Sequence, residues 1–330
     1  MTRQFSFVLG FMLLASPALA NSSITTTFAI VNLVSDQSGK AKNVDPNLIN
    51  PWGLAQGPGS DPVWAADNGT GLSTDYAQGT GQLGSAVVTI PKGSPTGTAY
   101  APSIGFQISE NGRTADSKFI FDSAAGVISG WSSSVDAQNA VIAVDNSAGG
   151  ASYTGLALDS GSKLLFAANF AQNQVEVYDN KWKPVTTFTD KRLTGYSPYN
   201  VAIINGEVYV AFANFTTGSG YVDVFSEGGT LMQRLIAKGP LNLPWGMTIA
   251  PSKFGSFANT LLVGNLGNGK INAFDPVTGN FLGALTNKRG KALKIPGLWA
   301  LDPVPTGEVT FSAGPNGYAD GLIGLIKVAK

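Results

Sequence analysis

The stretch PWGMTIAPSKFGSFANTLLVGNLGNGKINAFDPVTGNFLGALTN, from Pro244 to Asn287, decides the fold. It opens with Pro and an aromatic residue, continues as a short apolar run, turns, and runs again to an Asn before a Gly-rich turn. An alternating run, another turn and a fourth short run complete it. Short runs bounded by Gly, Pro, Asn and Asp are typical of β-strands joined by tight turns. The stretch therefore predicts four antiparallel strands.

Variants of this stretch recur along the chain. PYNVAIINGEVYVAFANFTTGSGYVDVFSEGGTLMQRLIAK starts at Pro198, and the shorter PWGLAQGPGSDPVWAADNGTG starts at Pro51. Three less regular units centre on 118–147, on 153–190 and on the segment that begins at Pro296. A repeat of about 45 residues with four short strands is typical of a propeller blade. We therefore predict an all-β, six-bladed β-propeller.

The two ends of this propeller are predicted to meet. FAIVNLVSD, residues 28–36, alternates like a strand but has no neighbouring partner in sequence, whereas the last blade has only three runs. Pairing the two closes the ring and removes an exposed sheet edge. A seventh blade would need another set of strands within 93–116, which is too polar and irregular. We interpret 92–116 as a surface excursion between blades one and two.

The first twenty residues are typical of an export signal. Arg3 gives a basic start, Phe7 to Ala15 form an apolar run too short to cross a bilayer, and a small-x-small pattern ends at Ala20. We expect cleavage after Ala20, a single propeller domain over 21–330, and a periplasmic or extracellular location. No second apolar stretch approaches the length of a membrane span, so we expect none.

The composition limits the chemistry and the partners. The chain has no Cys and no His, which excludes thiolate chemistry, disulfides, and every mechanism that needs His as a base or a zinc ligand. Its 21 Lys and Arg residues balance 21 Asp and Glu residues, so there is no positive footprint for nucleic acid or an anionic membrane. We expect a monomer whose partner is a small molecule, a glycan or an envelope protein.

Distinctive residues fall on one face of the predicted disc. Within a blade, the start of the innermost strand and the end of its antiparallel neighbour lie on the same face. Aromatic residues stand at the first of these places, and amide or carboxylate residues stand at the second. The predicted ligand-binding aromatics are Trp52, Tyr199, Trp245 and Trp299. The predicted metal ligands are Asp67, Asp122, Asn169, Asn214 and Asn265.

Two interpretations of this ring stay open. Asn and Asp at strand ends commonly initiate turns, and Trp residues commonly pack between blades. Alternatively, the oxygens converge on one ligand or on a divalent cation such as calcium, which binds carboxylate and amide oxygens. The aromatic rim would then suit a sugar or another amphipathic molecule. A divalent cation is the only cofactor that the sequence suggests.

Several blocks closely resemble a family of exported bacterial six-bladed propellers of uncharacterised function, some of which carry C-terminal exosortase sorting signals of the PEP type. These blocks include DPNLINPWGLAQGP, VWAADNGTGLSTDY, PLNLPWGMTIAP and LLVGNLGNGKINAFDPVTGNFLGAL. The resemblance extends from about Leu33 to Gly324 and implies the fold and export, but no activity. Members of that family often have His where this chain has Ala171 and Asp320-Gly321.

A looser likeness is to NHL-type and gluconolactonase-like propellers, which place Asn and Asp around a channel metal and use a Glu near the first strand. This chain has no Glu before Glu110, so one ligand of that pattern has no counterpart.

The sequence suggests three functions. The first is a non-catalytic, exported protein that binds a ligand or a protein through the channel-mouth face. The alternatives are a metal-dependent, lactonase-like hydrolase that uses Asp67 or Asp122, and a structural protein of the cell envelope.

Overall fold

The computed structural model describes residues 26–102 and 105–329, so the predicted signal segment 1–20 lies outside the described residues. The six-bladed, all-β propeller is confirmed: six sheets of four or five strands surround a central channel. In the described residues, helical backbone is confined to short turns at Ser147–Gly149, Gly255–Phe257 and Pro315–Tyr318. No helix of that part of the chain is both long and apolar enough to cross a membrane.

The strands follow the blades in chain order. Before blade one come β1 (Phe28–Ser35) and β2 (Asn43–Val44). Blade one comprises β3 (Pro51–Gln56), β4 (Val63–Asp67), β5 (Leu72–Tyr76) and β6 (Leu83–Thr89). Blade two starts with β7 (Pro95–Tyr100), is interrupted by the hairpin of β8 (Gln107–Glu110) and β9 (Arg113–Asp116), and continues with β10 (Phe119–Ser123), β11 (Val127–Trp131) and β12 (Val141–Asp145). Blade three comprises β13 (Tyr153–Leu158), β14 (Leu164–Asn169), β15 (Gln174–Asp179) and β16 (Pro184–Phe188).

The remaining blades have the same order. Blade four comprises β17 (Ser197–Ile204), β18 (Glu207–Asn214), β19 (Ser219–Phe225) and β20 (Leu231–Ala237). Blade five comprises β21 (Pro244–Ile249), β22 (Leu261–Asn265), β23 (Ile271–Phe274) and β24 (Phe281–Ala284). Blade six comprises β25 (Leu298–Pro303), β26 (Val309–Ala313) and β27 (Leu322–Val328), with β1 as its fourth strand.

The predicted closure of the ring is confirmed. Strand β1 pairs antiparallel with β27, so that Phe28 lies opposite Val328 and Ser35 lies opposite Leu322. The short strand β2 extends the same sheet in parallel to β1. The two ends of the described chain therefore share one blade, and this pairing joins blade six to the start of the propeller.

The interpretation of 92–116 as a surface excursion is wrong for its first part. Pro95–Tyr100 is the innermost strand of blade two and pairs with β10, with Tyr100 opposite Phe119. Only the hairpin β8–β9 stands apart from the blades. Thr96-Gly97 occupies the place that Trp-Gly takes in blades one and five. The polar composition of this segment reflects a strand that lines the channel and not a loop.

The apolar core lies in the seams between neighbouring blades. Phe166 of blade three packs in one cluster with Phe212 of blade four, and Tyr209 of blade four packs in another with Phe274 of blade five. Burial of each such side chain contributes about 1.5–3 kcal/mol. Stability is therefore distributed around the ring, and the channel walls need not supply it.

The six innermost strands β3, β7, β13, β17, β21 and β25 contact one another around the channel. Glycines allow this approach: a Cβ on Gly53 would lie 2.7 Å from the backbone nitrogen of Thr98, and one on Gly97 would lie 2.7 Å from that of Leu156. Both strands would have to move apart to accept a larger side chain. The Gly after the aromatic position thus sets the width of the channel.

Candidate functional site

The four predicted ligand-binding aromatics meet at one end of the channel and form a cluster that we call the aromatic plug (Trp52, Tyr199, Trp245, Trp299). The rings of Trp52 and Trp299 stack with centroids 3.6 Å apart and planes 18° apart. Trp245 meets Trp299 edge to face at 5.8 Å, and Tyr199 lies 6.1 Å from Trp299. The rings pack mainly against one another, so they fill this end of the channel.

Three members of the aromatic plug are buried and one is accessible. Tyr199, Trp245 and Trp299 are only 4%, 3% and 2% exposed, whereas Trp52 is partly exposed. Trp245 Nε1 donates a hydrogen bond across the channel to the Thr154 carbonyl at 2.8 Å. The Nε1 atom of Trp52 is buried without a partner among the described residues. The packing role that the sequence left open therefore accounts for three of the four aromatics in this structure.

The outer surface of the aromatic plug presents two further rings to solvent. Phe215 is 52% exposed and its ring lies 5.1 Å from that of Tyr199. Tyr318 is 45% exposed and lies 5.8 Å from Trp299. Together with Trp52 they make an aromatic surface at the predicted mouth. Binding of a glycan or a protein there stays a prediction.

Asp122, one of the predicted metal ligands, joins two blades. Its Oδ1 accepts hydrogen bonds from Thr96 Oγ1 at 2.8 Å and from the Gly97 amide, and its Oδ2 accepts one from the Gly155 amide of blade three at 3.1 Å. Burial raises the pKa of Asp122 to about 6, although hydrogen bonds from Thr96 and Gly97 lower it. Both carboxylate oxygens are thus used in holding β7 and β13 together.

The three predicted amide ligands also bond within their own surroundings. Asn169 Oδ1 accepts from the Ser152 and Gln172 amides, Asn214 Oδ1 accepts from the Thr217 amide, and Asn265 Oδ1 accepts from the Asn242 amide. These are the contacts that Asn makes when it stabilises a turn or a connection between blades. Each of the three oxygens therefore already accepts a hydrogen bond from a backbone amide, and their role as metal ligands stays a prediction.

Asp67 is the one predicted metal ligand with a free oxygen. Its Oδ2 accepts a hydrogen bond from Thr74 Oγ1 at 2.7 Å, and its buried Oδ1 has no partner among the described residues. A chain of hydrogen bonds continues from Thr74 to the Tyr76 hydroxyl and then to Asp45. Burial holds the pKa of Asp67 well above its usual range. Within the described residues no three Asp or Glu side chains are grouped to hold a metal ion, and cation binding stays a prediction.

A cavity of about 520 Å³ occupies the channel beyond the aromatic plug. It reaches from Trp245 and the glycines Gly53 and Gly97 to the far ends of the innermost strands, where the exposed residue Ser160 lies. Apolar side chains from several blades, among them Leu156 and Met247, form much of its wall. The cavity therefore opens on the face opposite the aromatic plug, a location that the sequence did not indicate.

Three polar atoms in this wall lack hydrogen-bond partners in the described part of the chain: Gln56 Oε1, Thr98 Oγ1 and Asp302 Oδ2. They belong to blades one, two and six, which are neighbours around the ring. Most buried polar side-chain atoms in folded proteins are paired. The three atoms thus form one arc of unsatisfied groups beside an accessible cavity.

The wall of the cavity carries negative but no positive side chains. Asp159 and Asp302 line it, and no Lys or Arg of the described residues does. Burial raises the pKa of Asp302 to about 7, and no charged neighbour contributes to that shift. The sequence analysis did not identify Gln56, Thr98 and Asp302 because each is a single polar residue within a strand or at its end and belongs to no motif. No local pattern shows that they meet.

Comparison with known proteins finds relatives of this chain in a virus. Two uncharacterized proteins of Acanthamoeba polyphaga mimivirus are 31% identical over 324 residues and 30% identical over 327 residues. Each alignment covers 91% of this chain, and the two cover 80% and 86% of the relatives. No protein-family model matches the sequence. Because these relatives are viral, the predicted membership of an exported bacterial family stays a prediction.

Solved structures share the fold at low sequence identity. A gluconolactonase from Xanthomonas campestris has a TM-score of 0.58 at 14% identity and covers 86% of this chain and 87% of its own. The soluble aldose sugar dehydrogenase from Escherichia coli has a TM-score of 0.55 at 13% identity, covering 92% and 100%. Virginiamycin B lyase from Staphylococcus aureus has a TM-score of 0.52 at 10% identity, covering 92% and 99%. Such likeness shows the propeller fold alone. Because 31% identity extends over 91% of its length, the chain belongs to the same family as these uncharacterized mimivirus proteins.

Proposed function

We propose that the protein is a non-catalytic binding protein that holds a small molecule in the central channel, reached through the end opposite the aromatic plug. The cavity of about 520 Å³ has the size of a small-molecule site. The observation that carries the proposal is the arc of unpartnered atoms at Gln56, Thr98 and Asp302 in its wall. A bound molecule would supply the missing hydrogen bonds.

The cost of that arc supports a role in binding. A buried polar group without a partner costs about 1–3 kcal/mol, and a charged group costs more. Apolar residues at these positions would avoid the cost, as they do at the neighbouring wall positions Ala99 and Leu301. Positions that violate the rules of a stable core are commonly functional. The small molecule thus belongs in the far half of the channel, and the aromatic surface would serve a glycan or a protein.

The lactonase-like alternative receives less support. It requires a cation centre, and among the five predicted ligands only Asp67 keeps an unpartnered oxygen. Asp122, the other proposed catalytic carboxylate, accepts hydrogen bonds on both of its oxygens. The likeness to a gluconolactonase is a likeness of fold. The contacts of these residues therefore favour binding over hydrolysis.

A blocked cavity tests the proposal. Ala202 lines the cavity and is partly exposed, so Ala202→Trp would fill much of the space. Ala237 on the outer strand of blade four is exposed and away from the cavity, which makes Ala237→Trp the matched control. We expect a small-molecule library, screened by ligand-observed NMR, to give binders that the first variant loses and the second retains. Binders that both variants retain, or no binders at all, would contradict the proposal.

We also propose that the protein is exported, on the strength of the leader-like segment that ends at Ala20. The envelope partner and the structural role in the envelope depend on this location. Expression of the full chain in a bacterium, followed by fractionation and N-terminal sequencing, should give an exported protein that begins at Asn21. An intact N-terminus in the cytoplasmic fraction would contradict export without affecting the cavity.

A further inference from the structure

The unpartnered atoms of the cavity are predominantly acceptors. Gln56 uses its Nε2 to donate to the Pro303 carbonyl at 3.0 Å, which leaves its Oε1 as the free atom. The side chain of Asp302, the residue before Pro303, makes no hydrogen bond with the described residues, and its Oδ2 is enclosed. A carboxylate and an amide oxygen accept hydrogen bonds and cannot satisfy each other. This part of the wall therefore needs a donor from outside.

Asp302 is also the free charge of the cavity. The other carboxylate in the wall, Asp159, holds its own turn: its Oδ1 accepts from the Lys163 and Leu164 amides at 2.6 and 2.7 Å, and its Oδ2 accepts from the Gly161 amide at 3.2 Å. No Lys or Arg among the described residues lines the cavity to balance Asp302. Asp302 is half-buried and its enclosed Oδ2 has no partner, which is costly for a charged group, and a bound cation would reduce that cost.

Two aromatic side chains complete the wall. Tyr100 and Trp245 both line the cavity, and Trp245 is also a member of the aromatic plug, which closes the cavity on that side. The negative face of an aromatic ring attracts an organic cation within about 6 Å. Apolar walls with one unpaired carboxylate and two aromatic side chains are therefore suited to a molecule that carries a positive group on a hydrophobic body.

We propose that the ligand of this cavity is an organic cation with a primary or secondary ammonium group, and that Asp302 is its counter-ion. The inference rests on the proposed function and names the ligand class of the same site. An ammonium group offers donors and no acceptor, which matches Gln56 Oε1 and the Asp302 carboxylate. An anion such as a phosphate ester or a carboxylic acid would meet the Asp302 charge and no compensating cation.

Three probes of equal size and different charge test the inference: phenethylamine, 2-phenylethanol and phenylacetate. Binding is measured by ligand-observed NMR and by calorimetry on the natural protein, on Asp302→Asn and on Glu227→Gln. Glu227 lies in the turn between β19 and β20, outside the cavity, so its variant makes the same charge change elsewhere. We expect the natural protein and Glu227→Gln to prefer the amine over the alcohol by about tenfold, and Asp302→Asn to lose that preference.

The pH dependence of the natural protein provides a second measurement that needs no variant. Burial raises the pKa of Asp302 to about 7, and the other titratable side chains of the cavity wall are Asp159 and Tyr100. Amine binding should therefore be several-fold weaker at about pH 5, where Asp302 is protonated, than at about pH 8. The affinity of the alcohol should change little over the same range.

The outcomes separate this inference from the proposed function. If amine and alcohol bind equally well, and neither Asp302→Asn nor pH changes their ratio, the ammonium inference is wrong while small-molecule binding stands. Preferred binding of phenylacetate would overturn the inference in the same way. If none of the three probes binds at millimolar concentration and the library also gives no binder, the proposed function fails, and the inference fails with it.

Discussion

The two ends of the channel differ although the same six strands form both. At the end where these strands start, four aromatic side chains fill the space, and Trp299 is 2% exposed. At the end where they finish, the space stays open as a cavity of about 520 Å³ with unpartnered polar atoms in its wall. Buried aromatic side chains fill one end, and the wall of the other keeps unpartnered polar atoms at a cost that apolar packing would remove. The difference supports a stabilising role for the first end and agrees with the binding role that we propose for the second.

Truncation of a buried aromatic side chain of the aromatic plug should have the largest effect on stability. Trp299→Ala deletes a side chain that stacks on Trp52 at 3.6 Å and donates to Asn50, so we expect the free energy of unfolding to fall by about 3–5 kcal/mol. Phe215→Ala, at an exposed ring of the same end, is the control and should cost less than about 1 kcal/mol. Chemical denaturation of both variants measures this. Equal, small losses of unfolding free energy in the two variants would mean that the aromatic plug does not stabilise the propeller.

Loss of the contact between blades two and three should have the next largest effect. Asp122→Ala leaves the Gly97 and Gly155 amides without their acceptor, whereas the Thr96 hydroxyl can still donate to the Tyr153 carbonyl, and we expect a loss of about 3 kcal/mol. Asp122→Asn keeps one acceptor oxygen and should lose less. The measurement is again denaturant unfolding. An undiminished free energy of unfolding in Asp122→Ala would show that these hydrogen bonds do not hold the strands together.

At the open end, a substitution should instead stabilise the protein. Burial raises the pKa of Asp302 from 3.8 to about 7, so the folded state holds the proton more tightly than the unfolded chain does. The contribution of Asp302 to stability is therefore highest below about pH 4 and is lost as the pH rises to about 7. Asp302→Asn removes that loss and should raise the free energy of unfolding by about 1–2 kcal/mol at pH 8, with little change at pH 4. A lower free energy of unfolding for Asp302→Asn than for the natural protein at pH 8 would contradict the conclusion that the Asp302 carboxylate is unpaired.

The smallest effect is expected from metal removal. Four of the five predicted metal ligands, namely Asp122, Asn169, Asn214 and Asn265, already accept hydrogen bonds from the protein through their side-chain oxygens. Calcium or a chelator should therefore shift the melting temperature by less than about 1 °C. Thermal unfolding with added calcium and with EDTA, after dialysis against the chelator, measures this. A rise of several degrees with calcium would restore the cation site and the hydrolase alternative.

The repeated Pro-aromatic start made most of the fold predictable. It located the innermost strands of blades one, four and five, and the unpaired alternation of 28–36 predicted how the ring closes. It failed at Pro95–Tyr100, where Thr96 replaces the aromatic residue. Thr-Gly at 96–97 and again at 154–155 repeats the Trp-Gly of 52–53, and this spacing could have found the strand.

The candidate site was predictable only in part. The repeat showed that Trp52, Trp245 and Trp299 share one end of the channel, but it could not show that their rings fill it, because that depends on side-chain packing across blades. The cavity could not be predicted from the sequence for a related reason. Gln56, Thr98 and Asp302 come together only through the order of the blades around the ring, and the sequence does not show which polar atoms lack a hydrogen-bond partner.

The shared blade six has a consequence for how the chain acquires its structure during synthesis. Strand β1 leaves the ribosome before every other described strand, whereas its partner β27 leaves after them. Translation proceeds at about 5–20 residues per second, so β1 must wait many seconds with an unpaired edge. Such an edge can pair with a neighbouring chain. Premature termination anywhere before Leu322 would therefore yield an open, association-prone ring, and slow translation of the last blade should lower the yield of folded protein.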